Sequence, residues 1–440
     1  MKLKNKVYFH TLGCSKNDVD TSVMESLLDS KKYVLEQDPY VADVIVVNTC
    51  GFIDATKEES IDAILNFAKL KEDKLKKLIL AGCLAQRYAK ELLSEIPEAD
   101  GVVGTGNLKD INQVLDSAFM DNKIAAVEDL NSEYIENTKK SSVNVTEYVK
   151  ISEGCNNNCT YCIIPKLRGR NRSRAVEDIV SEIEYLVDKG TREVILIGQN
   201  TTDYGIDIYN EYSLAKLIRE ISKIEKLKWI RVLYLYPDNF SDELIEEFKT
   251  NDKLLKYADI PLQHHSDKIL KLMNRRTSRE EIVNLVEKLK REIPDIVLRT
   301  TYIVGFPGED KKDFEILKNF VKEGHFTRLG VFTYSREEGT PAYSMPNQVD
   351  EEEKEKRQNE IMEIQMKVSQ KILEGFVDKE LTVLVEEKVD DNTFVGRSYI
   401  DAPEIDGCTY ITTDRDLDIG SFVKVKITDS MEYDLIGETL

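Results

Sequence analysis

The sequence predicts an α/β chain in three parts: an N-terminal doubly wound α/β domain over residues 1–122, a central partial (β/α)6 barrel over 141–372, and a small all-β module over 373–440, with 123–140 as a linker. Three observations predict it. Strand-like runs alternate with helical ones through the first part; six more strand candidates recur with helices between them; and after Gly375 helical stripes give way to short alternating strands. A chain of 440 residues also exceeds what one core ordinarily supports.

In the first part, KVYFHTLGC, ADVIVVNTC and KLKKLILAGC each read as an apolar strand ending in a cysteine: Cys14, Cys50 and Cys83. A parallel α/β sheet puts the carboxyl ends of its strands along one edge, where ligands bind, so these three cysteines are expected to converge. The polar run NSEYIENTKKSSVNVTE, residues 131–147, then breaks the periodicity. Beyond it come EYVKIS, EVILIG, WIRVLYLY, YADIPLQ, VLRTTYIVG and LGVFTYS as strands. Between the first two, Val176, Ile179, Val180, Ile183, Leu186 and Val187 form one helical stripe that stops at Gly190. Chemistry is expected at the carboxyl ends of such a series of strands. A charged helix from Glu351 to Glu374 follows, with Ile361, Ile364, Val368 and Ile372 on one face, and then the strands LTVLVEEK, TFVGRSYI and SFVKVKIT.

Composition bounds the partners. The net charge is −20, and the residues after Gly375 carry 16 acidic against 6 basic side chains, half of the excess. Nucleic-acid binding rests on a basic face, so the balance argues against RNA and for a basic partner. No window approaches the ~18 apolar residues of a membrane span, and MKLKNKVYFHTLGC reads as a strand rather than a leader; a cytoplasmic protein is expected. Seven cysteines in that compartment point to metal binding or catalysis rather than disulfides.

The densest signal is CNNNCTYC, which sets Cys155, Cys159 and Cys162 in one loop after the first central strand. Thiolates suit both iron–sulfur clusters and zinc. A closed zinc site wants a fourth cysteine or histidine nearby, and no histidine lies within a hundred residues of Cys162. A cubane with three protein ligands keeps one iron open. With Tyr161 before its third cysteine, the motif resembles the signature of radical S-adenosylmethionine enzymes. That resemblance implies a [4Fe–4S] cluster whose open iron binds S-adenosylmethionine and cleaves it to a 5′-deoxyadenosyl radical. It also implies cofactor contacts at Tyr161, at Gly198 and Gln199, and at Ile303 and Val304 in IVGFPGED.

LGCSKND, NTCGFI, GCLAQRY and RGRNRSR further resemble the methylthiotransferases among these enzymes, along essentially the whole chain. The resemblance implies a second [4Fe–4S] cluster on Cys14, Cys50 and Cys83, two S-adenosylmethionine molecules per turnover, and conversion of C–H to C–SCH3. It also makes the last module TRAM-like. LGCSKNDVD, NTCGFIDATKEES, LYLYP, IPLQHHSDKILKLMNR and TYSREEGTPAY resemble the RimO-type branch, which modifies the β-carbon of an aspartate in small ribosomal subunit protein twelve. Ser22 and Asn200 depart from the usual pattern of that branch. An electron donor and a sulfur donor are implied as further partners. A transfer-RNA adenosine methylthiotransferase and a non-catalytic two-cluster redox module are the alternatives. Arg168, Arg170, Arg172 and Arg174 read either as a solvated turn and helix entry with capping contacts or as contacts to an acidic substrate residue or a cofactor carboxylate; His264 and His265 read as packing or substrate-orienting groups.

Overall fold

The computed structural model describes residues 4–128 and 130–440. Residues 1–3, at the start of the stretch read as a strand rather than a leader, and Asp129 in the expected linker lie outside the described residues. The chain forms two compact units, one of Met1–Ser213 with Glu337–Thr340, the other of Leu214–Arg336 with Pro341–Leu440.

The first unit opens with six strands: β1 Asn5–Thr11, β2 Tyr33–Leu35, β3 Val44–Thr49, β4 Lys77–Ala81, β5 Gly101–Val103 and β6 Ile124–Ala126. All pair in parallel in the order β2-β1-β3-β4-β5-β6. β3 and most of β4 are buried on both faces, which is why VIVVNT and KLILA read as continuous apolar runs. Chain order reverses between β1 and β3, and a doubly wound sheet opens its ligand crevice at that point. Cys14 follows β1 and Cys50 follows β3. Later in this unit come β7 Thr146–Lys150, the two-residue strands β8 Ser152–Glu153 and β9 Arg172–Ser173, and β10 Glu193–Ile197, which pairs in parallel with β7. The Val176–Lys189 helix buries Val176, Ile179, Ile183, Leu186 and Val187 and ends at Gly190 with φ +126°.

The second unit holds the parallel strands β11 Trp229–Val232, β12 Leu254–Asp259, β13 Val297–Val304 and β14 Arg328–Thr333. The Glu351–Glu374 helix lies where the sequence puts it, but its buried face is not the aliphatic one. Lys354, Arg357, Gln365 and Ser369 are buried beside Ile361 and Leu373, whereas Ile364, Val368 and Ile372 are half-buried. Backbone pairing explains this. Gln365 Nε2 donates to Phe326 O at 2.9 Å, Ser369 Oγ to Thr327 O at 3.0 Å, Gln358 Nε2 to Val331 O at 2.7 Å and Lys354 Nζ to Tyr334 O at 2.9 Å. Carbonyls along and flanking β14 that would otherwise be buried unpaired are thereby satisfied.

The last strands, β15 Glu380–Lys388, β16 Thr393–Arg397, β17 Thr409–Thr412, β18 Phe422–Ser430 and β19 Leu435–Thr439, close a barrel in the order β15-β16-β17-β19-β18. Its Ser398–Asp406 loop is tied to the parallel strands of the same unit by charge. Arg231 Nη1 donates to Tyr399 O at 3.0 Å, and Arg328 pairs with buried Asp401. Tyr257 OH donates to Asp406 Oδ2 at 2.5 Å, and Arg299 Nε lies 3.5 Å from Asp406 Oδ1.

Among the described residues no helix is long and apolar enough to cross a membrane.

Candidate metal centre and cofactor site

Each cysteine of the first set sits where its strand stops. Cys14 is the N-cap of the Ser15–Leu27 helix, and its carbonyl accepts from Asn17 N–H at 2.7 Å. Cys50 leaves β3 buried, exchanging two 3.0 Å hydrogen bonds with Ser60, from Cys50 N–H to Oγ and from Oγ back to Cys50 O. Cys83 is the second residue of the Gly82–Arg87 helix, also buried.

Two glycines let these loops close up. Gly13 has φ +95°, and a Cβ there would stand 2.7 Å from Cys50 Cβ and 3.1 Å from its Sγ. Gly82 has φ +89°, and a Cβ there would stand 2.3 Å from Asn48 Oδ1 and 2.5 Å from Thr49 O. Gly82→Ala is therefore expected to cost about 2 kcal/mol or more, the sum of left-handed strain and overlap with a backbone that cannot retreat. Thermal unfolding of the iron-free chain reads this directly, and a variant melting with the wild type would refute it.

None of the six cysteines is in a disulfide. Burial pushes Cys83 up to about 12, against the pull of the Arg168 guanidinium, and pushes Cys155 up to about 11. Among the described residues, no three Cys, His, Asp or Glu side chains converge tightly enough for a single metal ion. Zinc–thiolate bonds of about 2.3 Å would hold tetrahedral thiolates roughly 4 Å apart. A cubane spreads its corner thiolates wider than a lone ion does, and soft cysteine sulfurs suit iron–sulfur chemistry.

The second set lies in the same unit. Cys155 N–H donates to Gly169 O at 3.1 Å, Asn157 N–H lies 3.4 Å from Cys155 Sγ, and Cys162 N–H donates to Cys159 O at 3.0 Å. Tyr161 is half-buried beside them. Ile163 and Leu167, just past Cys162, pack against Cys83, so elements bearing the two sets adjoin. At the end of β10, a Cβ on Gly198 would meet Ser152 Oγ at 2.7 Å, and Gln199 Nε2 donates to Glu153 Oε1 at 2.7 Å. Ser152 Oγ, Gln199 Oε1 and Asn200 Nδ2 are buried without a hydrogen-bond partner, a deficit that a polar ligand would relieve. Ile303 and Val304 close β13 in the second unit, where Ile303 N–H donates to Gln263 O at 2.8 Å.

The arginine run is not one solvated turn. Arg168 is fully buried, and its Nη1 donates to Asp20 Oδ2 at 2.9 Å and to both Glu153 oxygens at 3.1 Å, while Nη2 donates to Asn17 Oδ1 at 2.7 Å. Lys150 joins the same two carboxylates, 2.5 Å from Glu153 Oε2. Burial opposes the charge on Glu153, but Arg168 and Lys150 outweigh it and hold the carboxyl well below its usual range. Arg174 is buried against Asp178 and Glu182, Arg172 is half-buried, and Arg170 alone is exposed. Asp20, Lys150 and Glu153 were not singled out by sequence. The available signal was a lysine inside the apolar strand EYVKIS.

In the second unit, His264 and His265 are both buried. His265 stacks on Phe320 with ring centroids 3.6 Å apart, neither ring nitrogen has a partner, and burial holds its pKa down at about 3. A histidine kept neutral this way stabilises the fold fully above its unfolded pKa of about 6.5, and that stability is lost as pH falls toward 3. His265→Phe is thus expected to flatten acid destabilisation between pH 6 and 4 by up to about 1.4 kcal/mol per pH unit, read from denaturant titrations. Parallel slopes for both proteins would refute it. His264 Nδ1 accepts from Ser266 N–H at 2.9 Å, and its Nε2 lies 3.6 Å from Glu309, which accepts from Gly305 and Phe306 N–H just past β13.

The CxxxCxxC loop stands past the carboxyl end of a parallel strand, where such a sheet binds ligands, and comparison makes the chain a radical S-adenosylmethionine enzyme. Residues 149–321 match the Radical SAM superfamily, 6–104 match the family described as Uncharacterized protein family UPF0004, and 377–440 match the TRAM domain. The chain is 48% identical over 438 residues to the ribosomal protein uS12 methylthiotransferase RimO of Clostridioides difficile (strain 630), covering 99% of each. It is 50% identical over 431 residues to that of Thermoanaerobacter sp. (strain X514), covering 97% of this chain and 98% of the relative. The chain belongs to the RimO family of methylthiotransferases. An iron–sulfur cluster and S-adenosylmethionine go with that membership. In fold it also resembles the radical S-adenosylmethionine methyltransferase TsrM from Kitasatospora setae, with TM-score 0.57, 12% identity and coverage of 77% of this chain and 74% of that one.

Proposed function

We propose that the chain methylthiolates the β-carbon of an aspartate in ribosomal protein uS12, in the cytoplasm, using two S-adenosylmethionine molecules and two [4Fe–4S] clusters. Cys155, Cys159 and Cys162 hold the cluster that binds S-adenosylmethionine; Cys14, Cys50 and Cys83 hold the second. Tyr161, Gly198, Gln199, Ile303 and Val304 contact the cofactor. Residues 1–122, 141–372 and 373–440 are the working domains, with 123–140 between the first two. The observation that carries this reading is the gathering of Cys14, Cys50 and Cys83 at the ends of β1, β3 and β4, in a chain matched end to end by uS12-modifying relatives.

When bound, the cluster and S-adenosylmethionine supply the one-electron cleavage that makes a carbon radical, which no side chain of the protein could generate. The chain's own part is binding and placement. Arg168 keeps a fixed positive charge beside Cys83, where thiolate charge accumulates on metal loading. Glu153, itself fixed by Arg168 and Lys150, orients Gln199 at the end of β10. The acidic β-barrel favours a lysine- and arginine-rich protein over a phosphate backbone. Electron and sulfur donors complete the reaction.

Mass spectrometry of uS12 from a strain lacking the gene tests this, with modified nucleosides of transfer RNA measured alongside. Loss of the methylthio mass from uS12, restored by the gene, is expected. Loss confined to the transfer-RNA nucleosides would overturn the substrate.

A further inference from the structure

Residues Glu337–Thr340 belong to the first unit, although the chain before and after them belongs to the second. Glu337 anchors this short strap. Its side chain is 3% exposed, and one oxygen, Oε2, accepts from Lys57 Nζ at 2.8 Å and from Arg87 Nη1 at 3.0 Å. Arg87 shares the Gly82–Arg87 helix with Cys83, closing it four residues on, and Lys57 sits on the Asp54–Ala68 helix that follows Cys50.

Arg87 does more than pair. Its Nη1 also donates to Gly51 O at 3.3 Å, the peptide that follows Cys50, and its Nη2 to Glu338 O at 2.6 Å. Gly51 in turn lies so close to the Cys83–Leu84 backbone that a Cβ on it would stand 2.8 Å from Leu84 N. Without Glu337, Lys57 would keep the exposed Asp54, 2.5 Å away, while Arg87 would lose its buried carboxylate, and the guanidinium bridging the Cys50 and Cys83 loops would be held by backbone carbonyls. Next along the strap, Gly339 O accepts from Lys166 Nζ at 2.7 Å, on the short helix after Cys162.

We infer that Glu337 is a positioning residue for the Cys14–Cys50–Cys83 centre: by fixing Lys57 and Arg87 it sets the spacing of Cys50 and Cys83. The inference rests on the reading of these cysteines as cluster ligands. The test uses the full chain with Glu337→Gln, which keeps the shape and removes the charge, and Glu337→Asp, which keeps the charge. In iron-free protein, alkylation of buried Cys83, followed by peptide mass mapping, is expected to quicken at least tenfold in Glu337→Gln, with Cys408 unchanged and Glu337→Asp intermediate. After anaerobic reconstitution, Glu337→Gln is expected to hold less iron per chain and to lose methylthio transfer at least tenfold, with 5′-deoxyadenosine formation within twofold of wild type. Unchanged Cys83 labelling and iron content would overturn the inference. So would equal loss of both reactions with a lowered melting temperature, since that marks general unfolding. If wild-type protein itself failed to modify uS12, the functional reading would fall, while labelling and iron counts would still decide the role of Glu337.

Discussion

Cys83→Ala is expected to abolish methylthio transfer, by at least about a hundredfold, while the chain still cleaves S-adenosylmethionine to 5′-deoxyadenosine. On the proposed reading Cys83 is one of three ligands, and losing one thiolate removes the cluster or leaves it labile, because metal and ligand set bind as one. The Cys155–Cys159–Cys162 loop does not depend on that thiol, although Ile163 and Leu167 pack against it, and alanine keeps most of the apolar contact. Iron and sulfide per chain should fall by about half. Full methylthiolation by Cys83→Ala would dismiss the second centre, and joint loss of both activities would mean that one centre serves both reactions.

Arg168→Met carries the largest expected stability cost. The guanidinium is buried between Asp20 and Glu153, with Asn17 completing its hydrogen bonds. Removing it leaves Lys150 alone against two buried carboxylates. Breaking a buried pair from one side costs about 3–5 kcal/mol, a large share of the 5–15 kcal/mol that holds a typical domain together. A melting temperature lower by roughly 10 °C is expected, or aggregation on expression. Arg168→Lys should recover part of the loss, since one ammonium cannot reproduce the fork that meets Asp20, Glu153 and Asn17 together. A Met variant as stable as wild type would show that the network adds nothing net. These two results are separable: the cysteine change should leave melting of the iron-free chain nearly untouched, whereas the arginine change should lower it whether or not metal is present.

What the sequence disclosed follows from how local each signal is. β1, β3 and β4 were legible because each is a long apolar run with its cysteine a few residues on, and chemistry at strand ends follows from the architecture. The six central strands were legible for the same reason. β2, β5 and β6 were not, because three residues are too few to show a period. β17 TYIT and β19 LIGET escaped because polar residues and a glycine interrupt them, leaving no apolar run to mark a strand. The Glu351–Glu374 helix was found whole but turned wrongly, since a stripe of aliphatic residues outweighs buried glutamine and serine unless their backbone acceptors are known. Arg168 failed most instructively. Nothing beside it in RGRNRSR predicts burial, because the partner that makes burial tolerable, Asp20, lies 148 residues earlier. Glu337 was quoted within TYSREEGTPAY for its resemblance, yet its role depends on Lys57 and Arg87, some 250 residues or more away in sequence.

The salt links beneath the terminal barrel bear on how this enzyme can be dissected. Arg231, Arg299 and Arg328 spend part of their hydrogen-bonding capacity on the Ser398–Asp406 loop, and Tyr257 gives it its hydroxyl proton. A chain cut near residue 375 would therefore not be the catalyst minus a detachable arm. It would be a core with three guanidinium groups opened to water and a phenol without its acceptor. Whether the acidic barrel recruits the substrate is better probed by reversing acidic charges on its outer strands, which leaves these links in place.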